Sequence, residues 1–431
     1  MPSCEFWTDF FDLDDDAERH AESLRHAALA ARQMRPDWPL QLTPYVLSAA
    51  QVDTQGKKLG QLNNAILSLP EVLFDGDMAA FADTLGFDGE ACAKMLEAAG
   101  SGGILPSRWD MMVRAGHWQA MEVNFGGALG GLNGDSLHRI YDQIQKAGAE
   151  PLDGWFSTGA AIAAALREGT TGPLPPIYVV DDSAALAQSP LTANSVAAVL
   201  AAHLQCEVPV IGHRDLWHEV ERVRTGLLTY ELFTLRDTLR DPVYYDYFEL
   251  CQSGRVLRGV DLRCDLFMSK AIFALLHRAV ERQLFDAELC SVIRSVIPPT
   301  YLLNPSSLAH AQSRNRAEWV LKQANGYGGT GVFCGWEWSE NEWQDLISEA
   351  EKPEGKLGQC VLQHRVHGED WESTTLMPDG TWIEHGGPQV LGAFVINGGF
   401  CGANTRQAVD GGAVVNTTRQ ASVGVLRTRK I

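Results

Sequence analysis

Two hydrophobic rhythms run along this chain. Near the start the apolar positions recur at helical spacing, over Asp12 to Met34, Leu59 to Leu69, Met78 to Leu85 and Gly89 to Ala99. The first of these opens on Asp14-Asp15-Asp16 and closes on Arg32 and Arg35 before Pro36, acid first and base last, the order a helix dipole favours. Shorter periods follow. Trp109 to Val113 alternates, Ala115-Gly116 makes a turn, and His117 to Asn124 returns, which predicts a hairpin. A helix over Gly159 to Arg167 and a Gly/Pro linker lead to Ile177 to Val180, Val208 to Ile211 and Leu227 to Phe233, with helices over Thr192 to Leu204 and Asp241 to Leu250. That alternation predicts a small open parallel sheet. A short strand over Arg255 to Val260, a helix over Met268 to Leu284 with Lys270 in its first turn, and a strand over Cys360 to Val366 come next. Two apolar strands flank Pro378-Asp379-Gly380, Gln389 to Ile396 turns at Asn397-Gly398 into Gly399 to Arg406, and a last strand begins at Ala413 to Asn416. The whole reads as a mixed α/β chain, α+β in its outer parts and α/β in the middle.

Composition narrows the function classes. With 431 residues the chain is long enough for roughly two to four domains. A formal charge of -19 argues against a nucleic-acid partner, which needs a basic stripe, and equally against an anionic membrane surface. There is no apolar run long enough to span a bilayer, and the acidic start MPSCEFWTDFFDLDDD has no basic segment of the signal-peptide kind. The nine cysteines are scattered with no C-x-x-C, which fits reduced thiols and a cytoplasmic setting. His364 and His367 fall in a predicted strand and read as structural.

Candidate chemistry sits on two hairpins. In the later one an apolar run, Trp319 to Leu321, carries Lys322, and four residues on comes Gly326-Tyr327-Gly328-Gly329-Thr330-Gly331 before Val332-Phe333. Glycines let backbone N–H groups turn toward an anion, and the lysine adds a full charge beside them. The letters also satisfy G-x-G-x-x-G, but a dinucleotide fingerprint must open a helix, whereas GVFCGWEW suits a strand. Taken alone, the loop equally suits a surface turn. In the earlier hairpin, Glu122 and Asn124 share a strand face, and Asp110 lies on the partner strand. Three oxygen-bearing side chains on one face suit a hard cation such as Mg2+; a half-exposed hairpin with polar residues outward fits the same letters. Lys270, at the unfavourable end of its helix, is either a solvated lysine or one held by a phosphate.

The combination resembles the ATP-grasp ligases. The order, with RWD and MEVN ahead of both the parallel-sheet segment and the glycine loop, is similar to the circularly permuted branch that includes glutathionylspermidine synthetase and the peptide ligase of pheganomycin-type biosynthesis. SKAIFALLHRAVE and VIRSVIPPTYLL before VLKQANGYGGTGV add to the likeness, which covers residues from about 100 onward. Residues 1–104 read as a mostly helical N-terminal region from their own periodicity, and beyond them the resemblance implies a metal-binding hairpin part of the grasp core over 105–172, a Rossmann-like segment over 173–265, and a nucleotide-binding part over 266–431. It further implies that Lys270 and Lys322 hold the α- and β-phosphates and that the Gly326 to Gly331 flap (Gly326, Tyr327, Gly328, Gly329, Thr330, Gly331) covers them. Gln363 would line the adenine pocket. Asp110, Glu122 and Asn124 would bind two Mg2+, Arg108 would steady the charge developing at the γ-phosphate, and Arg406 would face phosphate or carboxylate. Thr330 departs from the family, where a lysine is frequent. The implied activity is ATP-dependent joining of a carboxylate to an amine through an acyl phosphate. The alternatives are a phosphotransferase on the same nucleotide site and a nucleotide-binding protein without catalysis. A homodimer is compatible with the sequence, which leaves the oligomeric state open.

Overall fold

The computed structural model describes residues 38–100, 102–132, 134–144, 156–170, 172–304, 315–352, 355–409, 415 and 421–429. The helix expected over Asp12 to Met34 lies outside these. The expected helices at Ala49–Phe74, Met78–Thr84 and Gly89–Ala99 are present, opened by Ser48, Asp77 and Asp88 whose side chains accept first-turn N–H groups. Ahead of them stand two short strands the sequence reading passed over, β1 (Leu40–Gln41) and β2 (Tyr45–Ser48). No helix among the described residues is long and apolar enough to cross a membrane.

The predicted hairpin forms from β3 (Ser107–Arg114) and β4 (His117–Phe125). Ala115 (φ 48°) and Gly116 (φ 74°) both take positive φ, the geometry of a tight two-residue turn. Alternation gives the hairpin two faces. Trp109, Met111 and Val113 are buried against the core, Trp109 stacking on Phe273, while Arg108 and Asp110 take the other face.

In the middle of the chain β5 (Ile177–Asp181), β6 (Val210–Gly212), β7 (Leu227–Glu231) and β8 (Val256–Arg258) build an all-parallel sheet in the order β6-β5-β7-β8. After it, β9 (Thr300–Leu302), β10 (Trp319–Gln323), β11 (Val332–Cys334) and β12 (Cys360–His364) form an antiparallel sheet in the order β11-β10-β12-β9. Trp319 and Leu321 of β10 pack with Trp343 and Ile347 of the helix Glu340–Ala350, which leaves Val320 and Lys322 to the opposite face.

The last strands are β13 (Asp370–Leu376), β14 (Trp382–Ile396), β15 (Gly399–Gln407) and β16 (Ser422–Arg429). With β1, β3 and β4 they make the large sheet, order β13-β1-β16-β15-β14-β3-β4, and β2 also pairs with β16. The strand expected at Ala413 to Asn416 lies almost wholly outside the described residues; β16 is interior. It is buried on both faces, so it lacks the half-buried alternation that marks a strand in sequence. The early hairpin and the final third of the chain share this sheet through β14–β3 pairing, which sets Gly392 opposite Asp110.

Candidate functional site

Hairpin β3–β4 pairs Asp110 with Glu122, and one rung along the same face pairs Arg108 with Asn124. A bulge falls between them and the turn: Asp110 pairs with Glu122 but Met111 with Ala120, leaving Met121 unpaired. The bulge releases the Met121 carbonyl from the ladder, and Lys322 Nζ donates to it at 2.9 Å. The two motifs that lie far apart in sequence meet at this contact.

Around the Asp110–Glu122 rung stand four cations. Arg108 donates to both Asp110 oxygens, Nε at 2.8 Å and Nη2 at 3.1 Å. Arg406 comes from β15 and brings Nη2 within 2.6 Å of Asp110 Oδ1. Arg406 Nε, by contrast, finds no acceptor among the described residues. Lys270 Nζ lies 3.3 Å from Glu122 Oε2 and donates to the Gly326 carbonyl at 2.8 Å. Lys322, besides Met121, donates to Gln363 Oε1 at 2.7 Å. Burial disfavours ionisation of Asp110, but Arg108 and then Arg406 outweigh it and hold the carboxyl well below its ordinary range. Burial pushes Lys322 down to about 8, with Lys270 adding to the fall and Glu122 opposing it. Four cations against two carboxylates leave a formal excess of two positive charges, arranged for an anion.

The glycine loop borders this cluster, Gly326 accepting from Lys270 and Gly329 lining the same cavity. It joins β10 to β11 as a hairpin, so a strand follows Gly331 and the dinucleotide alternative is excluded. Gly328, Gly329 and Gly331 take φ of 61°, 78° and 72°, and a Cβ on Gly331 would lie 2.0 Å from Gln323 Oε1. Lys270 is placed just before the helix Ala271–Glu281 rather than in its first turn, where its backbone N–H donates to Ala324.

A cavity of about 450 Å³ opens between the sheets, lined by Asp110, Glu122, Lys322, Gly329, Gln363 and Arg406. Val320, Val332 and Val366 also line it, and Arg365 stacks 3.8 Å over the Trp336 ring. Gln363 faces this cavity with both amide ends engaged, by Lys322 and by Thr300 Oγ1 at 3.2 Å, so it orients the lysine. Asn124 and Arg108 line a second cavity beside the first. A larger cavity, about 680 Å³, holds none of the expected site residues. Of the expected set, Asp110, Glu122, Lys322, Gly329, Gln363 and Arg406 share the first cavity, Arg108, Asn124 and Tyr327 border the second, and Lys270 reaches the cluster through Glu122 and Gly326. Among the described residues no group of three His, Cys, Asp or Glu is placed to hold a metal.

Sequence reasoning missed the contacts that hold the loop. Tyr327 OH donates to Asp265 Oδ1 at 2.9 Å, and Arg236 lies 4.1 Å over the Tyr327 ring while donating to the Asn325 carbonyl. Arg236 and Asp265 carry no motif spacing; only the fold joins them to the loop.

No protein-family model and no curated protein matches this chain. Among solved structures it is similar to a glutathione synthetase-like effector from Globodera pallida, at 11% identity over 97% of this chain and 98% of that one, with a TM-score of 0.61. A chain assigned as a gamma-glutamylcysteine synthetase from Methylobacillus flagellatus aligns over 86% of each at 10% identity and a TM-score of 0.39. The first likeness establishes the fold: a mixed α/β architecture of the glutathione synthetase-like kind.

Proposed function

We propose that this chain is an ATP-dependent carboxylate–amine ligase of the ATP-grasp type, in its circularly permuted form. The observation that carries the reading is the Asp110–Glu122 rung ringed by Arg108, Arg406, Lys270 and Lys322 beneath a glycine hairpin. Phosphoryl transfer asks chiefly for positioning and charge neutralisation, and a cation-rich, partly dehydrated cleft provides both. The similarity in fold to a glutathione synthetase-like protein supports the same class.

In this reading Lys322 and Lys270 would hold the triphosphate with backbone N–H groups of residues 327–329 and 331, since those of Gly326 and Thr330 donate within the loop, and the base would enter the slot near Val320, Val366 and Trp336. A substrate carboxylate attacks the γ-phosphorus, the bond to the β-phosphate oxygen breaks, and ADP leaves. The amine then adds to the acyl phosphate, loses a proton, and expels inorganic phosphate as the amide forms. Arg406, held by Asp110, and Arg108 steady charge on the moving phosphoryl group. No protein nucleophile is needed.

Asp110, Glu122 and Asn124 share one hairpin face and carry oxygen donors of the kind Mg2+ takes. Both Asp110 oxygens are held by Arg108 and Arg406, and Asn124 lines the neighbouring cavity, so Glu122 is the donor left open to an ion. Bound there, Mg2+ would supply Lewis-acid neutralisation of the phosphates. Glu122 is the most open of the cluster, its side chain 27% exposed against 5% for Asp110, and is the residue best placed to accept an ion. The test is incubation with ATP, Mg2+ and a panel of amino acids, short peptides and amines, with products read by mass spectrometry.

A further inference from the structure

Tyr327 opens the tip of the glycine loop. Its carbonyl accepts the Thr330 N–H at 2.9 Å across Gly328 and Gly329, both at positive φ, which makes residues 327–330 a tight turn of the primed kind. A Cβ on Gly328 would meet nothing within 4 Å, so no packing supports the tip from that side. Below the turn the chain is fixed. The Ala324 carbonyl accepts the Lys270 N–H at 2.8 Å, and Asn325 Nδ2 donates to the Leu85 carbonyl at 2.8 Å. Gly329, inside the turn, lines the nucleotide cavity, whereas Tyr327 borders the second cavity. The turn is closed by its own hydrogen bond, so the place of Tyr327 decides the place of Gly329.

What holds Tyr327 lies outside the loop. Its hydroxyl donates to Asp265 Oδ1 at 2.9 Å, and Arg236 lies 4.1 Å over its ring. Arg236 also lies 5.4 Å over the Phe87 ring and donates to the Asn325 carbonyl at 3.0 Å, so the clasp is itself held in place. Asp265 does not need the tyrosine. Arg236 already supplies it with Nε, at 3.1 and 3.0 Å to its two oxygens, with Nη2, and with its backbone N–H at 3.0 Å. Nor does the core need the ring, which is 45% exposed. A satisfied, buried acid that grips an exposed ring anchors the loop and does little for the core.

We propose that Tyr327 is a latch: its bond to Asp265 fixes the 327–330 turn against the nucleotide cavity, and the strength of that bond sets how long a bound nucleotide stays. It acts as a positioning residue, through Gly329. The assignment rests on the ligase reading only for nucleotide as the occupant of that cavity.

The test uses the full chain and two variants, Tyr327→Phe and Tyr327→Leu. The first measurement is release of N-methylanthraniloyl-ADP, bound with Mg2+ and chased with excess ADP. Release should be about tenfold faster in Tyr327→Phe, the effect of losing one hydrogen bond to a carboxylate. Tyr327→Leu, which also loses the contact with Arg236, should release a further few-fold faster. Both variants should melt where the unmutated chain does. The second measurement is cleavage by chymotrypsin without nucleotide, since the protease cuts after tyrosine and phenylalanine alike. Cleavage after residue 327 should be about tenfold faster in Tyr327→Phe, because it follows the fraction of loop that is open. Equal cleavage of the two proteins, or a Tyr327→Phe variant that melts well below the unmutated chain, overturns the latch. Equal release rates with ADP bound also overturn it and spare the ligase reading. No binding of ADP by the unmutated chain would sink the ligase reading, and the cleavage rates then decide the latch by themselves.

Discussion

Lys322 Nζ and the Met121 carbonyl oxygen stand 2.9 Å apart, joining two motifs separated by 201 residues. The contact exists because a bulge turns Met121 out of the β3–β4 ladder. It brings the lysine of the glycine hairpin against the strand that carries Glu122, and so makes one site from two.

The state of Lys322 gives a pH signature. Burial holds its ammonium down to about 8, whereas bound phosphates would favour the charged form. Binding then takes up a proton above that pH, so ATP affinity should fall as pH rises beyond about 8, by up to about tenfold per unit. Titrations between pH 7 and 9.5 check this, and Lys322→Met should flatten the profile as well as weaken binding. An affinity that is constant over this range would contradict the role given to Lys322.

Asp110 and Arg406 are both nearly fully buried. Removing one member of such a pair strands the other, at a cost of about 3–5 kcal/mol. Arg406→Met should therefore lower stability to urea by about that amount, less whatever Arg108 recovers through its two bonds to Asp110. Arg406→Met with Asp110→Asn should lose less than the two single losses added together. Additive losses would show that the 2.6 Å approach carries little energy.

Both hairpins, the parallel sheet and most helices were legible because their periods are short and local: Trp109 to Val113 alternates, and Ile177 to Val180 is wholly apolar. The glycine loop was legible as a strand-linked flap because aromatic residues, not a helical pattern, follow Gly331. What stayed hidden depends on distant pairing. β1 is two residues long and exists only against β13 and β16, and β16 has no alternation to announce it. The same holds in the site. Arg108, Asp110, Glu122 and Lys322 stand in motifs, but the Met121 bulge and the clasp of Arg236 and Asp265 on Tyr327 arise from packing between segments with no spacing to read.

The flap depends on positive φ at Gly331, where a Cβ would also strike Gln323. Gly331→Ala should cost about 1–3 kcal/mol, concentrated in the loop. Its readout is a raised KM for ATP with a smaller change in melting temperature. An unchanged KM would mean that the loop does not cover the nucleotide.

Glu122 is partly exposed and its ion pair with Lys270 is 3.3 Å, so Glu122→Gln should alter stability by no more than about 1 kcal/mol. Its effect on turnover should be far larger, about a hundredfold or more in ADP release. Comparing melting curves and initial rates separates the two. Turnover that survives the substitution would remove Glu122 from the proposed Mg2+ site.

The most direct measurement is product stoichiometry. With ATP, Mg2+, a carboxylate and an amine, the account predicts ADP, inorganic phosphate and a condensed amide in equal amounts by mass spectrometry. ADP together with a stable phosphorylated substrate, and no amide, would contradict it and assign the same site to a phosphotransferase.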